Sequence, residues 1–181
     1  MVSRQYNKIR EERHRTAMKR YNKERQRNAA AIPGLHKFIL VLDHLQAGFN
    51  VPKIFRSAEA FGAYEIHLVN VDAFDPAPAK GAFRKVPAKF YQSIEASFND
   101  LIHRGYQLFT LEADKGLMLN EAKLPEKSAF ILGNEELGIS FDTSKYPDIK
   151  CLSIPHFGTT ESLNVSIAAS IVMYEYTCQH Q

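Results

Sequence analysis

The 181-residue sequence contains only two cysteines, no tryptophan and no long apolar run. The cysteines, Cys151 and Cys178, are far apart and outside any metal-ligand spacing, so we expect two reduced thiols rather than a disulfide or a zinc site. No segment has the length of a membrane span, and the basic N-terminus lacks the apolar stretch of a signal peptide. We therefore expect a cytoplasmic protein that does not associate with a membrane.

Nucleotide-binding fingerprints are absent as well. No glycine-rich run leads from a predicted strand into a Lys-Ser/Thr or Gly-x-Gly helix, which argues against a phosphate-loop enzyme and against a dinucleotide-dependent oxidoreductase. The seven histidines do not fall at metal-ligand spacings, so we predict no metal site. A composition of 45% hydrophobic and 24% charged residues is that of an ordinary globular chain able to bury a core.

The net charge of +3 hides an asymmetry between the N-terminal segment and the remainder. Residues 1–28 contain ten Lys/Arg and three Asp/Glu, whereas the rest of the chain carries a net charge of −4. Residues 1–32 are therefore predicted to form a basic arm, which is a solvated helix, a partly disordered tail or a helix that forms on a partner. We expect residues 33–181 to form the folded domain, and nucleic acid is the commonest cytoplasmic partner for such an arm. The arm residues expected to contact RNA phosphates are Arg10, Arg13, Arg15, Lys19 and Arg20.

Beyond the arm, apolar runs alternate with helical patterns, which predicts an α/β fold with a mostly parallel sheet and helices on both of its faces. The predicted strands are Phe38–Leu42, Glu65–Val69, Lys89–Ile94, Tyr106–Leu111, Ala129–Leu132 and Lys150–Ile154. The predicted helices are Asn50–Gly62, with Asn50 as its cap, Ser97–Arg104, with Ser97 as its cap, and Val165–Tyr176. The segment between Glu112 and Lys127 is predicted to be irregular. A long connection, Asn70–Pro87, carries Arg84 and Lys85, and we expect it to contribute to an RNA surface.

Three polar segments follow predicted strands and should meet at one edge of the sheet, where ligands bind in open parallel sheets. They carry Asn50 and Arg56, then Glu135 beside Gly133, and finally Ser162 and Asn164. Each segment alone has an ordinary alternative: an exposed carboxylate, a surface ion pair or a turn glycine. Ser162 and Asn164 precede an almost wholly apolar helix, where backbone N–H donors are free to hold a ligand.

Taken together, the segments NVPKIFRSAEAFG, FILGNEELGIS and LSIPHFGTTESLNVSIAASIVMYE resemble, in order and spacing, the three motifs of the SpoU/TrmH family of SPOUT RNA methyltransferases. The resemblance spans roughly residues 38–176. Pro52 departs from the first motif, which commonly has a small residue there. Asn50 and Arg56 match it.

This resemblance implies a deep C-terminal trefoil knot and transfer of a methyl group from S-adenosylmethionine to a ribose 2′-oxygen of RNA, with tRNA favoured over rRNA. It implies a catalytic set of Arg56, Asn50, Glu135, Ser162 and Asn164, and a cofactor pocket near Leu111, Gly133, Ile154 and Leu163. It also implies a homodimer that packs its C-terminal helices together, which the apolar helix at Val165–Tyr176 suits. The alternative is a non-catalytic RNA-binding or ribosome-assembly protein with the same fold.

Overall fold

The computed structural model describes residues 2–113 and 115–181, with side chains from residue 5 onward. Its α-helices are α1 (Val2–Asn28), α2 (Asn50–Ala60), α3 (Ile94–His103) and α4 (Val165–Gln179). Its strands are β1 (Ile39–Asp43), β2 (Glu65–Val69), β3 (Ala88–Tyr91), β4 (Gln107–Leu111), β5 (Leu117–Met118), β6 (Ser128–Leu132) and β7 (Lys150–Ser153).

The strands form one seven-stranded sheet in the order β3-β2-β1-β6-β4-β7-β5, and every pairing between them is parallel. The predicted α/β class with a parallel sheet is confirmed. β1 and β6 lie side by side at the centre, where both are buried along their whole length. Continuous apolar runs are typical of strands covered on both faces.

Helices cover both faces of the sheet, as expected. Along β1, Leu40 and Leu42 point into the larger core, which also contains residues of α2 and α4. Ile39 and Val41 point the other way, into a smaller core with Leu101 of α3. The alternation follows from the strand period of two residues, so a single strand supplies both cores.

Two predicted helix caps are wrong, and both residues have other partners. Phe49 occupies the N-cap position of α2 without a side-chain cap, and Asn50 is the first helical residue, its amide bonded to Glu135 instead. Ser93, not Ser97, caps α3 and accepts a hydrogen bond from the Ala96 N–H. Ser97 lies inside the helix, buried, where its hydroxyl is 2.7 Å from Nδ1 of His67. The segment 112–127, predicted to be irregular, contains the short strand β5.

The basic arm is helical, and the end of this helix packs on the domain. Tyr21 is buried, with its ring centroid 5.3 Å from that of Phe74 and 5.7 Å from that of Phe83. Asn28, also buried, donates from Nδ2 to the carbonyls of Phe83 and Val86. The sequence shows few apolar residues here, but one aromatic ring and one amide are enough to anchor the helix. The boundary at residue 32 stays a prediction.

Neither cysteine is in a disulfide, as expected. Among the described residues, no helix combines the length and the apolar character needed to cross a bilayer.

Candidate active site

The candidate site lies at the carboxyl-terminal edge of the sheet, where β1, β4, β6 and β7 end. The three polar segments of the sequence converge there, as the parallel order requires. α2 begins there with Asn50, and α4 begins there with Asn164 as its N-cap. Residues more than 80 positions apart in the chain are thereby brought into contact.

Three of the five predicted catalytic residues form one hydrogen-bonded chain. Asn50 donates from Nδ2 to Oε1 of Glu135 over 2.8 Å, and Asn164 donates from Nδ2 to Oδ1 of Asn50 over 3.3 Å. Oδ1 of Asn164 accepts from the backbone N–H of Ser166 at 3.0 Å and from its hydroxyl at 2.6 Å. Each amide is thus oriented by donating at one end and accepting at the other. This fixes the positions of three exposed or half-buried polar groups beside open space.

Two residues that were not predicted as site residues, Asn134 and Asp43, fix the turn after β6 by hydrogen bonds. Asn134 donates to the carbonyl of His44 over 2.8 Å, and its Oδ1 accepts the N–H groups of Glu136 and Leu137. Asp43, fully buried at the end of β1, accepts from the backbone N–H and the hydroxyl of Ser140 at 2.6 and 2.8 Å. A carboxylate directly after an apolar strand was the available signal for Asp43. Its partner lies 97 residues away and could not be identified from the sequence.

Gly133 is required at its position by close backbone approach. A Cβ there would collide with the backbone of Gly138 and Ile139. The turn of residues 134–138 folds back, with the N–H of Asn134 bonded to the carbonyl of Gly138 and the N–H of Gly138 bonded to the carbonyl of Asn134. Glu135 and Glu136 project from this turn, and of the two only the side chain of Glu135 joins the hydrogen-bonded chain.

A cleft of about 530 Å³ runs along this edge, and three of the predicted cofactor residues, Leu111, Gly133 and Leu163, line it. The fourth, Ile154, lines an adjoining pocket that also includes Leu111, Ser162 and Leu163. The cleft is lined by apolar residues of β4, β6 and α4 together with the turn after β6, and it has a size typical of small-molecule sites. Ser162, predicted to be catalytic, therefore lies on the wall shared by the two pockets.

Arg56 lies on a different opening, between α2, α4 and the turn at residues 77–80. Ser166 lines that opening and also bonds to Asn164, so it connects the opening to the hydrogen-bonded chain. The guanidinium of Arg56 is exposed, and it has no hydrogen-bond or ion-pair partner within residues 5–113 and 115–181. An arginine held by no protein carboxylate is free to bind an anionic ligand.

The predicted RNA-contacting residues differ in their surroundings. Of the five predicted residues on α1, four are exposed: Arg10, Arg13, Arg15 and Lys19. Arg20 is 2.6 Å from Asp75, and Lys85 is 2.7 Å from Glu59, so these two charges are partly compensated. Arg84 is exposed. The structure thus brings Arg84 and Lys85 near the C-terminal end of α1, which packs against the turn that contains Arg84.

A second group of ionisable side chains lies away from this edge, on β2, β3 and α3 and at the end of α3. Arg104 bonds to Glu65 and Asp100, and Lys89 is 3.1 Å from Asp100. Burial opposes ionisation of Asp100, but hydrogen bonds from Lys89, Tyr91 and Arg104 outweigh it and lower its pKa to about 2. Glu65, His67 and Asp100 have the spacing of a metal-binding group. Because Arg104 and Lys89 already neutralise the carboxylates, we interpret this group as a structural ion network.

Comparison with known proteins gives one consistent family. The model of the SpoU rRNA methylase family matches residues 37–174. A 23S rRNA (guanosine-2′-O-)-methyltransferase, RlmB, from Nitrosomonas europaea is 31% identical over 147 residues, which cover 78% of this chain and 56% of the relative. The chain spans about half the length of the first curated relatives it matches.

Solved structures agree with this. A structure described for the 2-OH methylation of C/U34 on tRNA has a TM-score of 0.68 and 26% identity, covering 80% of this chain and 97% of that one. The SpoU methyltransferase AviRb from Streptomyces viridochromogenes, in complex with AdoMet, has a TM-score of 0.70 at 24% identity, covering 83% and 61%. The AviRb likeness supports the fold.

Proposed function

The protein belongs to the SpoU rRNA methylase family, and we propose that it transfers a methyl group from S-adenosylmethionine to a ribose 2′-hydroxyl of structured RNA, with tRNA as the substrate. The observation that carries this proposal is the hydrogen-bonded chain from Glu135 through Asn50 to Asn164, which borders the apolar cleft and is linked to the opening of Arg56 by Ser166. Two clefts joined by one polar chain suit a reaction between a small donor and a large acceptor.

We propose that the cleft lined by Leu111, Gly133 and Leu163, with Ile154 in the adjoining pocket, holds S-adenosylmethionine. Its chemistry fits: apolar side chains can enclose the adenine ring, and backbone groups of the Gly133 turn can recognise its edge. When bound, the sulfonium supplies an electrophilic methyl group that needs no metal. Gly133 permits close backbone packing of the turn, and any side chain there would force the turn apart.

We propose that the residues of the polar chain orient the ribose for the reaction. For the 2′-oxygen to take up the methyl group, the 2′-hydroxyl would have to lose its proton. A guanidinium is effectively never deprotonated, so Arg56 is a poor base. We propose that Arg56 holds an RNA phosphate and stabilises the developing alkoxide, while Asn50, Ser162 and Asn164 position the sugar.

The proton acceptor is Glu135, an RNA phosphate oxygen or water. Glu135→Gln distinguishes these alternatives because it preserves the hydrogen bond from Asn50 but removes the basic carboxylate. Loss of turnover with unchanged RNA affinity would assign the proton to Glu135. Turnover close to that of the wild type would exclude it.

The basic residues of α1 and of the 70–87 connection are proposed to bind RNA phosphates. The exposed charges of Arg10, Arg13, Arg15 and Lys19 project from a helix of about 40 Å, long enough to follow an RNA backbone. Arg20, Arg84 and Lys85 extend this surface onto the domain. Deleting residues 1–28 should weaken RNA binding and flatten its salt dependence without lowering affinity for S-adenosylmethionine.

We also propose the trefoil knot and the homodimer of the family for this chain. The support for the knot is that β7 lies beyond β4 in the sheet, whereas the next helix, α4, packs against α2. An experimental structure whose backbone path is unknotted, so that the chain could be pulled straight by its two ends, would refute the knot. On α4, Ile167 and Tyr174 are 52% and 60% exposed with Ile171 between them, an apolar stripe that a second copy would cover.

The test of the function is transfer of labelled methyl from S-adenosylmethionine to tRNA and, separately, to rRNA, using wild type, Arg56→Lys and Arg56→Ala. We expect label in tRNA that is recovered as a 2′-O-methyl nucleoside and is lost in Arg56→Ala. Near-normal turnover of Arg56→Lys would show that charge suffices, whereas its near-abolition points to bidentate geometry. Label in rRNA alone would reassign the substrate. Cofactor binding without transfer to either RNA would favour the non-catalytic RNA-binding alternative.

A further inference from the structure

The opening that contains Arg56 carries two further cations. It is lined by Lys53 and Arg56 of α2, by Lys80 of the neighbouring turn, and by the hydroxyls of Ser57, Ser166 and Ser170. No Asp or Glu lines it. Its volume, about 430 Å³, leaves room for a phosphodiester group. Three cations around one opening form a positively charged surface that suits an anion, and the hydroxyl of Ser57, which accepts from Ser170, has its own proton left to donate.

The three cations are not neutralised by the protein. Within residues 5–113 and 115–181, the side chains of Lys53, Arg56 and Lys80 have no hydrogen-bond or ion-pair partner. Glu59, one turn beyond Arg56 in α2, is instead held by Lys85 at 2.7 Å. Like charges grouped without counter-charges repel one another, and a bound anion removes that repulsion.

The backbone at Lys80 is held in an unusual conformation. Its φ of 52° lies in the left-handed region, which a residue with a Cβ seldom adopts, although no bond of its side chain requires it. The position follows the turn Ala77–Ala79, which packs against α2. The fold therefore directs the chain so that Lys80 lines the same opening as Arg56. Strained backbone of this kind is concentrated at functional sites.

The opening is also linked to the polar chain of the active site through Ser166. Ser166 lines the opening while its hydroxyl bonds to Asn164. The hydroxyls of Ser57 and Ser170 lie 2.9 Å apart across the α2–α4 contact, which fixes the two helices around the opening. An anion seated here would lie next to the proposed ribose position.

We propose that Lys53 and Lys80 complete, with Arg56, a clamp for one RNA backbone phosphate next to the methylated ribose. This rests on the proposed function for the identity of the ligand. In the clamp, the lysines are positioning residues: they fix the phosphate, and through it the sugar, without touching the reacting atoms. Loss of the clamp should therefore raise KM for RNA and leave the affinity for S-adenosylmethionine unchanged.

The test is the salt dependence of RNA binding by the full chain carrying both Lys53→Ala and Lys80→Asn. Asn is chosen at position 80 because it tolerates the left-handed conformation. The control is Lys123→Ala, which removes one exposed positive charge near the far end of α4, where Gln179 bonds to the carbonyl of Ala122. Binding of total tRNA is measured by fluorescence anisotropy over a series of salt concentrations, together with calorimetry of S-adenosylmethionine.

The slope of log K against log [salt] is negative, and we expect its magnitude to decrease by about 1 in the double variant. In Lys123→Ala the slope should stay unchanged. The charge-preserving double variant, Lys53→Arg with Lys80→Arg, should have the same slope as the wild type. This result would also show that the change of slope in the first variant comes from the lost charges and not from misfolding. A slope equal to that of Lys123→Ala would overturn the clamp, whether or not the wild type methylates RNA. A shallower slope in the double variant, together with a wild type that methylates no RNA, would uphold the clamp and refute the proposed reaction.

Inorganic phosphate at constant ionic strength separates the two sources of a phosphate ligand. One outcome is that phosphate alone raises the free energy of unfolding of the wild type but not of the double variant, while RNA binding is equal in both. In that case the opening binds a free anion and the RNA assignment is wrong. If phosphate competes with RNA only in the wild type, the assignment to an RNA phosphate is supported.

Discussion

Replacing Asn28 by Ala should destabilise the protein by about 2–3 kcal/mol. The buried amide of Asn28 donates to the carbonyls of Phe83 and Val86 over 2.5 and 2.7 Å, and its oxygen accepts the N–H of Ala88 at 3.0 Å. Each hydrogen bond contributes about 1 kcal/mol, and truncation leaves three backbone groups without this partner. The higher helix propensity of Ala returns at most about 0.7 kcal/mol.

The assay is urea unfolding followed by circular dichroism, with Asn22→Ala as the matched control. Asn22 lies on the same helix, six positions earlier, and is exposed, so its substitution should change the free energy of unfolding by less than about 0.5 kcal/mol. Asn28→Asp tests the direction of the bonds: it keeps the acceptor for Ala88 but places a second oxygen against two carbonyls. It should be at least as destabilising as Ala.

Equal unfolding free energies for Asn28→Ala and Asn22→Ala would refute this reasoning. That result would mean that α1 is not anchored through Asn28, and that the arm moves independently of the 82–88 segment. The proposed RNA surface, which needs both to be held together, would then lose its geometric support.

Three further predictions concern the site, the core and the dimer. Gly133→Ala should abolish binding of S-adenosylmethionine by calorimetry because its Cβ collides with backbone, whereas Gly48→Ala, with nothing within 4 Å, should bind normally. Burial lowers the pKa of His67 from its usual 6.5, against the opposing effect of Glu65, so the unfolded chain takes up more protons. The free energy of unfolding should fall as pH drops below about 6.5, and His67→Gln should flatten that dependence in urea titrations at stepped pH. Tyr174→Glu should weaken the proposed dimer by about tenfold or more in sedimentation equilibrium; an unchanged dimer would place the interface elsewhere.

Local patterns were sufficient for most of the helices and strands, although they missed β5 and placed the start of α3 three residues late, and the candidate site residues came from the resemblance to the SpoU/TrmH motifs. The apolar run before Asp43 is β1, shifted by one residue from the predicted strand. The helix of Arg56 begins at Asn50 as expected, and α4 begins at Val165. These features depend on periodicity and on breaker residues, which act over a few positions along the chain.

The roles of single polar residues were less predictable, because the partners are distant in sequence. Asn50 and Ser97 both have the side chain of a helix cap, yet one bonds to Glu135 and the other contacts His67. A capping pattern reports what a side chain can do locally. It does not report a stronger tertiary partner that competes for the same atoms.

The sequence alone therefore determined the α/β class, the charge asymmetry of the arm and the segments that carry the site, since each follows from composition and short-range order. Only the tertiary structure decided that Asn28 anchors the arm, that Asp43 holds Ser140, and that Lys53 and Lys80 share an opening with Arg56. The physical reason is that strand order and helix packing bring these groups together across tens of residues. Hydrogen bonds and uncompensated charges depend on distance in space, which short-range sequence patterns do not encode.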